Sequence, residues 1–345
     1  MVNPYIASQL ISWQKKSGRH NLPWQKTNDA YLIWISEVML QQTQVNTVIP
    51  YFNKFIKNFP NVNKLASADE DTVMQYWSGL GYYRRAKFIM QSAKIIVRDY
   101  YSRFPKTVEE LVTLPGIGRS TAGAISALAF KNPAPILDAN VKRVFCRFYG
   151  IKEWAGESET DKKLWKLAEK NLPKKEISIY TQALMDLGAT LCKAKLPLCK
   201  ECPLKKKCIS FKNNWTDIIP AKKRRKEVPT RETHILIVEK SGYILLEKRM
   251  KPGIWEGLWS LPEPQKYYHN EKWVENFLGA SPIGDLKEGS VMAIFSHYKM
   301  RLLFKHIYIN EPTIKKFKGS FKWQDKKEIM HAGLPAPIKK LLSNI

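Results

Sequence analysis

The sequence predicts a multidomain chain, an all-α region followed by a smaller α+β domain. Three observations carry that expectation. Apolar residues recur at three-to-four spacing over the first part and then change to alternation. A basic, proline-bounded break, Pro220 to Pro229, separates the two patterns. Four cysteines, Cys192, Cys199, Cys202 and Cys208, crowd the end of the helical part. The expected boundaries are a helical region over 1–212, a linker over 213–230 and a separate domain over 231–345.

Helical periodicity runs through Tyr5–Trp13, Leu32–Val45, Phe88–Val97, Thr121–Leu128 and Ile179–Leu191. Turn formers interrupt it at Asn21-Leu22-Pro23, Phe59-Pro60-Asn61, Ser78-Gly79-Leu80-Gly81 and Pro115-Gly116-Ile117-Gly118. Beyond the linker, Thr233–Glu239, Tyr243–Lys248, Ser290–Phe295 and Arg301–Ile309 read as strands. A helix is expected near Trp273–Leu278 and another at the end of the chain. No internal repeat is visible.

The 345 residues carry 57 Lys and Arg against 31 Asp and Glu, a formal charge of +26. Such an excess favours a polyanionic partner, because each phosphate neutralised releases condensed counterions. A protein with a generally Lys-rich surface fits the same numbers, and charge alone does not separate the two. No apolar run is long enough to span a membrane, and Met1-Val2-Asn3-Pro4 opens no signal peptide. A cytoplasmic monomer is the default expectation.

The four clustered cysteines are spaced C-x6-C-x2-C-x5-C. Disulfides are disfavoured in an intracellular chain of this size, so the thiolates point to a metal centre. Zinc sites usually pair two C-x2-C knuckles, and only one such pair is present. Iron–sulfur clusters accept compact, uneven spacing. The spacing therefore marks a metal strongly and separates iron–sulfur from zinc only modestly. Lys193, Lys195, Lys200, Lys205, Lys206 and Lys207 decorate these loops, which suits a phosphate-gripping surface as well as a plain structural clasp. Cys146 stands apart in a predicted helix and reads as a buried small hydrophobe.

Leu114-Pro115-Gly116-Ile117-Gly118 joins two helical stretches, Thr107–Thr113 and Arg119–Ala129. Glycines at Gly116 and Gly118 permit close backbone approach and leave amide groups facing outward, a phosphate site at a helix start. A simple packing corner is the alternative. Twenty residues beyond Gly118 stands Asp138, followed by a predicted helix. Alone, it reads best as a helix N-cap.

Taken together, the hairpin, the aspartate and the cysteines resemble the helix-hairpin-helix glycosylases. Leu22-Pro23-Trp24-Gln25, Trp34 through Val45 (with Glu37-Val38-Met39-Leu40-Gln41-Gln42-Thr43), Gly79-Leu80-Gly81-Tyr82-Tyr83 and Leu137-Asp138-Ala139-Asn140 narrow it to the MutY-type adenine DNA glycosylases. The likeness runs from Leu22 to Cys208. The last domain is similar to the Nudix fold and matches more loosely, through Phe295-Ser296-His297 and Gly333 to Pro337. The fold expected is thus an all-α helix-hairpin-helix glycosylase core with an iron–sulfur loop, plus a C-terminal α+β Nudix-like domain.

The resemblance implies base-excision repair: removal of adenine opposite 8-oxoguanine or guanine in double-stranded DNA. It implies one four-iron four-sulfur (4Fe-4S) cluster on Cys192, Cys199, Cys202 and Cys208. Glu37 would be the general acid, Asp138 the anion beside the sugar, and Asn140 an orienting group. Trp24 and Gln182 would line the adenine pocket, while Gln42 and Tyr82 fill the space the base leaves. Thr43, Phe295, Ser296 and His297 would read the opposite base. Gly116, Gly118, Ser120 and Lys142 would contact DNA.

Blander readings stand beside several of these. Trp24 suits a core as well as a pocket, Lys142 suits a solvated helix face, and Glu37 could edge an apolar stripe. Ala139 departs from the glycine usual in the family. Ser120 stands where the endonuclease III-like enzymes carry a lysine nucleophile, so strand cleavage through a Schiff base is not expected. Residues 253–285 lack the Arg-Glu-x-x-Glu-Glu pattern that nucleotide pyrophosphatase chemistry needs, which leaves a recognition module.

Overall fold

The protein is described by a computed structural model covering residues 4–222, 228–250, 253–264, 270–295, 298–310 and 320–344. The chain divides into two compact units, Met1–Ser67 with Phe88–Arg225, and Ala68–Lys87 with Lys226–Ile345. Ser296, His297 and the middle of the basic linker lie outside the described residues.

The helical part runs α1 (Pro4–Ser17), α2 (Ala30–Leu40), α3 (Val45–Asn58), α4 (Val62–Ala66), α5 (Glu70–Trp77) and α6 (Arg84–Asp99). It continues with α7 (Val108–Leu111), α8 (Arg119–Phe130), α9 (Ala139–Tyr149), α10 (Ser158–Lys170), α11 (Ile177–Thr190) and α12 (Ile209–Lys212). Helix α2 is apolar on nearly every side, so it runs through the interior of the first unit. Asp29 starts it by accepting the Tyr31 amide. A second core gathers Ile6, Leu10, Val141, Phe145, Leu184 and Leu187 from α1, α9 and α11. Cys146 is fully buried there, the small hydrophobe expected.

Periodicity through Val45 predicts one long helix, but α2 stops at Leu40. Gln42 takes a left-handed φ of 58°, and α3 begins afresh after Gln44. Polar Gln41-Gln42-Thr43 cannot be packed into the apolar interior that holds α2. Gln41 instead donates to Thr121 Oγ1 at 3.3 Å. Helix α7 is also shorter than predicted, held by a Thr107–Glu110 capping box.

The second unit holds β1 (Thr230–Lys240), β2 (Tyr243–Lys248), β3 (Trp259–Ser260), α13 (Asn270–Leu278), β4 (Pro282–Ile294), β5 (Lys299–Ile309), β6 (Phe321–Asp325) and α14 (Ala336–Leu342). Its sheet runs β3-β2-β1-β5-β4, with β6 also paired to β2. β1 and β5 are parallel from Thr230 opposite Lys299 to Glu239 opposite Tyr308. Ser241 and Gly242 both take positive φ, as the tight β1–β2 hairpin requires. Val274 and Leu278 of α13 cover Leu236, Val238, Leu245 and Ile307 on one face. β3 and β6, too short or too mixed in pattern to stand out in the sequence, complete the sheet.

Residues 68–87 belong to this second unit. Ser78 Oγ donates to the Leu334 carbonyl at 2.6 Å, and Lys248 pairs with Asp71 at 2.7 Å. No helix among the described residues is long and apolar enough to cross a membrane.

Candidate active site and cysteine cage

A cleft of about 870 Å³ opens in the first unit, lined by Trp24, Glu37, Ser120, Asp138, Asn140 and Gln182 among others. Three chain features build it: the early end of α2, the start of α8 and the start of α9. Glu37 sits on the last turn of α2, half-buried. Burial pushes its carboxyl up to about 8, and the Asp138 charge adds in the same direction. Glu37 is therefore a carboxylic acid at neutral pH.

Asp138 caps α9, accepting the Val141 amide at 2.8 Å. Its carboxyl is raised by burial, while the Val141 amide, Arg143 and Asn140 pull it back down. The N-cap and the candidate catalytic anion are thus one residue: the helix start supplies the donors that sustain a buried charge. Asn140 is oriented by its neighbour, since Arg143 Nη2 donates to Asn140 Oδ1 at 2.8 Å. Arg143 also binds the carbonyls of Gly188 (2.6 Å) and Cys192 (2.7 Å). Gly188 lets α11 approach this closely: a Cβ there would sit 2.6 Å from Asn140 Cβ.

Ser120 Oγ accepts the Leu137 amide at 3.0 Å and so fixes the segment that delivers Asp138. Trp24 is 6% exposed and packs edge-on to Phe52, yet it also lines the cleft. Core and pocket roles coincide in it. Gln182 projects from α11 and donates to Asp186 Oδ1 at 3.0 Å. Gln42 and Thr43 line the cleft's edge, where the break after α2 places them. Ala139 is exposed at the same edge.

The hairpin bears out its glycine pattern. Gly116 has φ +78°, and a Cβ there would lie 2.7 Å from Phe88 Cβ. Leu114 and Ile117 are buried beneath it, and Ser92 Oγ donates to the Pro115 carbonyl. Gly118 opens α8 without a side-chain cap, and a Cβ added there would meet open space. The first amides of α8 are thus left for an outside acceptor.

The four clustered cysteines line a single cavity of about 30 Å³ against α9 and α11. Burial pushes the Cys202 thiol up to about 12 and raises Cys199 and Cys208, with the neighbouring thiols adding to each. Four thiolates there need a compensating cation. Among the described residues no three His, Cys, Asp or Glu side chains stand ready to hold a single ion. Arg147, 3% exposed, clamps the cage: its Nη1 lies 3.4 Å from Cys192 Sγ and donates to Lys193, and its Nε donates to Ile219. The six lysines of the surrounding loops are all exposed.

Lys142 pairs with Asp161 on α10. Tyr82, at φ +49° and 48% exposed, belongs to the second unit. Phe295 also lies there, stacked on Tyr298 at 5.0 Å, where β4 turns toward β5. Arg19, Arg143 and Asp186 were missed in the sequence. The one available clue was Asp186, a lone acid within the apolar stretch Ile179–Leu191.

Residues 35–170 match the HhH-GPD superfamily of base excision DNA repair proteins, and residues 233–344 match the NUDIX domain. The chain is 38% identical over 343 residues to the adenine DNA glycosylase of Buchnera aphidicola subsp. Schizaphis graminum, covering 98% of each. It is 30% identical to the mouse adenine DNA glycosylase over 97% of this chain and 76% of that one. Among solved structures, a thermostable thymine-DNA glycosylase superposes with TM-score 0.55 at 27% identity, over 61% of this chain and 98% of that one. An endonuclease III bound to DNA shares the fold, with TM-score 0.52 at 23% identity, over 61% of this chain and 95% of that one.

Proposed function

The chain belongs to the adenine DNA glycosylases, base-excision repair enzymes, and from that premise we propose that it hydrolyses adenine from pairs with 8-oxoguanine or guanine. The observation that carries the chemistry is the pair of carboxyls in one cleft, with Glu37 raised to about 8 and Asp138 held by the start of α9. Adenine departs readily only when protonated, and the sugar carbon gains positive charge as it does. One protonated acid and one anion meet both needs.

Glu37 gives its proton to an imidazole-ring nitrogen of the flipped base. The bond from the sugar carbon to the base then breaks, its electron pair leaving with adenine. Asp138 stabilises the resulting cation. Water adds its oxygen to that carbon and loses a proton, leaving free adenine and an abasic site. Ser120 carries no amine and is occupied with the Leu137 amide, so the reaction ends without strand cleavage. Gly116, Gly118 and the uncapped start of α8 would hold a backbone phosphate, with Gln42 and Tyr82 filling the vacated stack. Lys142 would reach a phosphate only by exchanging Asp161 for it.

Cys192, Cys199, Cys202 and Cys208 suit one four-iron four-sulfur cluster, because four half-buried thiols share one cavity, and burial with the neighbouring thiols raises Cys199, Cys202 and Cys208. When bound, the cluster would supply the cation that lets them ionise and would fix the lysine-bearing loop. The chain's own part is Arg147 on the cage and Arg143 between Cys192 and Asn140.

The pH dependence follows from the carboxyls. Single-turnover excision should fall above about pH 8, as Glu37 loses its proton, and fall again in acid as Asp138 gains one. Glu37→Gln should remove the alkaline limb from whatever rate remains. A rate rising through pH 9 would contradict the acid role.

Opposite-base reading is assigned to Thr43 and to Phe295, Ser296 and His297. Replacing Ser296 and His297 together by Ala should lower the preference for 8-oxoguanine over guanine by about 1–3 kcal/mol. The ratio of excision rates on the two duplexes, at fixed salt, measures it. An unchanged ratio would remove the second unit from lesion reading. Truncation after Thr230 is a poorer test, because it strips Ser78 and Asp71 of Leu334 and Lys248.

A further inference from the structure

Asp186 is fully buried on α11, and the groups bonded to its carboxylate are donors. Its Oδ1 accepts Gln182 Nε2 at 3.0 Å, Arg19 Nε at 2.8 Å and Arg19 Nη2 at 2.5 Å. Its Oδ2 accepts Gln14 Nε2 at 2.9 Å and the Arg19 amide at 3.0 Å. The proposed mechanism gives this carboxylate no work. Its position, buried one helical turn from Gln182, which lines the cleft, points to some.

A glutamine amide has a donor end and an acceptor end, and unrestrained it presents either. An acceptor-only carboxylate can bond just the NH2 end. We propose that Asp186 sets which end of Gln182 meets the flipped base, and so makes the pocket selective for 6-amino over 6-oxo purines. With Nε2 committed to Asp186, Oε1 is the group left to face the cleft, where it accepts from an exocyclic amine. The second Nε2 hydrogen remains for the pyrimidine-ring nitrogen beside that amine, a bidentate pattern that suits adenine and leaves the imidazole-ring nitrogen to Glu37. A 6-oxo purine would set an oxygen against Oε1. Arg19 and Gln14 hold the carboxylate in place, since bonds from α1 and the segment after it prevent Asp186 from turning away. Asp186 is on this reading a positioning residue, acting through Gln182, and the inference rests on Gln182 being the base reader.

The test compares single-turnover excision of adenine and of hypoxanthine opposite the same base. Asp186→Asn offers Gln182 both a donor and an acceptor, so the preference for adenine should fall about tenfold or more. Asp186→Glu should restore part of it. In a Gln182→Leu background, Asp186→Asn should leave the ratio unchanged. A loss of rate that is equal for both bases, or one that persists in the Gln182→Leu background, would mean a structural role and overturn the proposal.

Proton exchange of the Gln182 side-chain amide in the unmodified protein provides a second readout, independent of folding of the variants. Its resonance is identified by its disappearance in Gln182→Leu. Slow exchange relative to exposed glutamines is expected, and exchange at the exposed rate would overturn the bond to Asp186. If Gln182→Leu itself left the adenine preference intact, the base-reader assignment would fall, while the exchange result would still report on the bond.

Discussion

Replacing Glu37 by Gln is expected to slow adenine excision by roughly two to four orders of magnitude, the usual contribution of a positioned acid. The amide keeps the shape of the carboxyl and cannot give up a proton, so mismatch binding should change little. Single-turnover rates and dissociation constants on one duplex separate the two effects. The same replacement should stabilise the fold at neutral and alkaline pH. A carboxyl raised to about 8 takes up a proton more readily in the folded chain. Its favourable contribution is fully present below its ordinary value of 4.5 and is lost as pH rises through 8. Gln carries no such penalty. Asp138→Asn should slow excision as well, with little cost to the start of α9, because Asn Oδ1 can accept the Val141 amide in place of the carboxylate. Near-normal excision by Glu37→Gln would move the acid elsewhere.

Loss of the cluster should have the other large effect. Cys202→Ser places a hydroxyl where burial pushes the native thiol up to about 12, and iron should fall well below four atoms per chain. Cys202 packs against the core that carries α9 and α11, so the damage reaches Phe145 and Leu187 rather than stopping at the loop. Metal binding of this kind is folding free energy, and a drop of roughly 10 °C or more in Tm is expected. Arg147→Ala should weaken the same cage while sparing all four ligands. Iron content, visible absorbance and thermal melting check both variants. Stoichiometric zinc without iron in anaerobically purified protein would replace the cluster with a different centre.

The sequence made the helical part, the cysteine cage and the hairpin legible, because each rests on local chemistry. Spacing of thiols, two glycines in a turn and apolar periodicity all act over a few residues. The end of α2 was not legible, since Gln41-Gln42-Thr43 prolong a helical pattern, while the partners Gln41 takes, Gly116 and Thr121, lie far along the chain. Asp138 illustrates a different limit. Its N-cap role could be read from the following helix, but its burial beside Glu37 depends on how α2 and α9 meet. Asp186 and Arg143 depend on tertiary contacts with Arg19, Gly188 and Cys192, none of which has a sequence period. The grouping of residues 68–87 with the second unit is likewise a matter of Ser78 and Asp71 finding partners more than 170 positions away. β3 spans two residues, and no alternation can be read from two.

Release of free base and breakage of the strand, followed together in one single-turnover reaction, test the account most directly. The substrate is a duplex carrying adenine opposite 8-oxoguanine, with the reaction divided between alkaline and neutral quenching. One equivalent of free adenine per duplex is predicted, with the strand intact until alkali cleaves it. A nick appearing at neutral pH in step with adenine release, together with a borohydride-trapped protein–DNA adduct, would contradict it, as would an intact adenine after many enzyme equivalents.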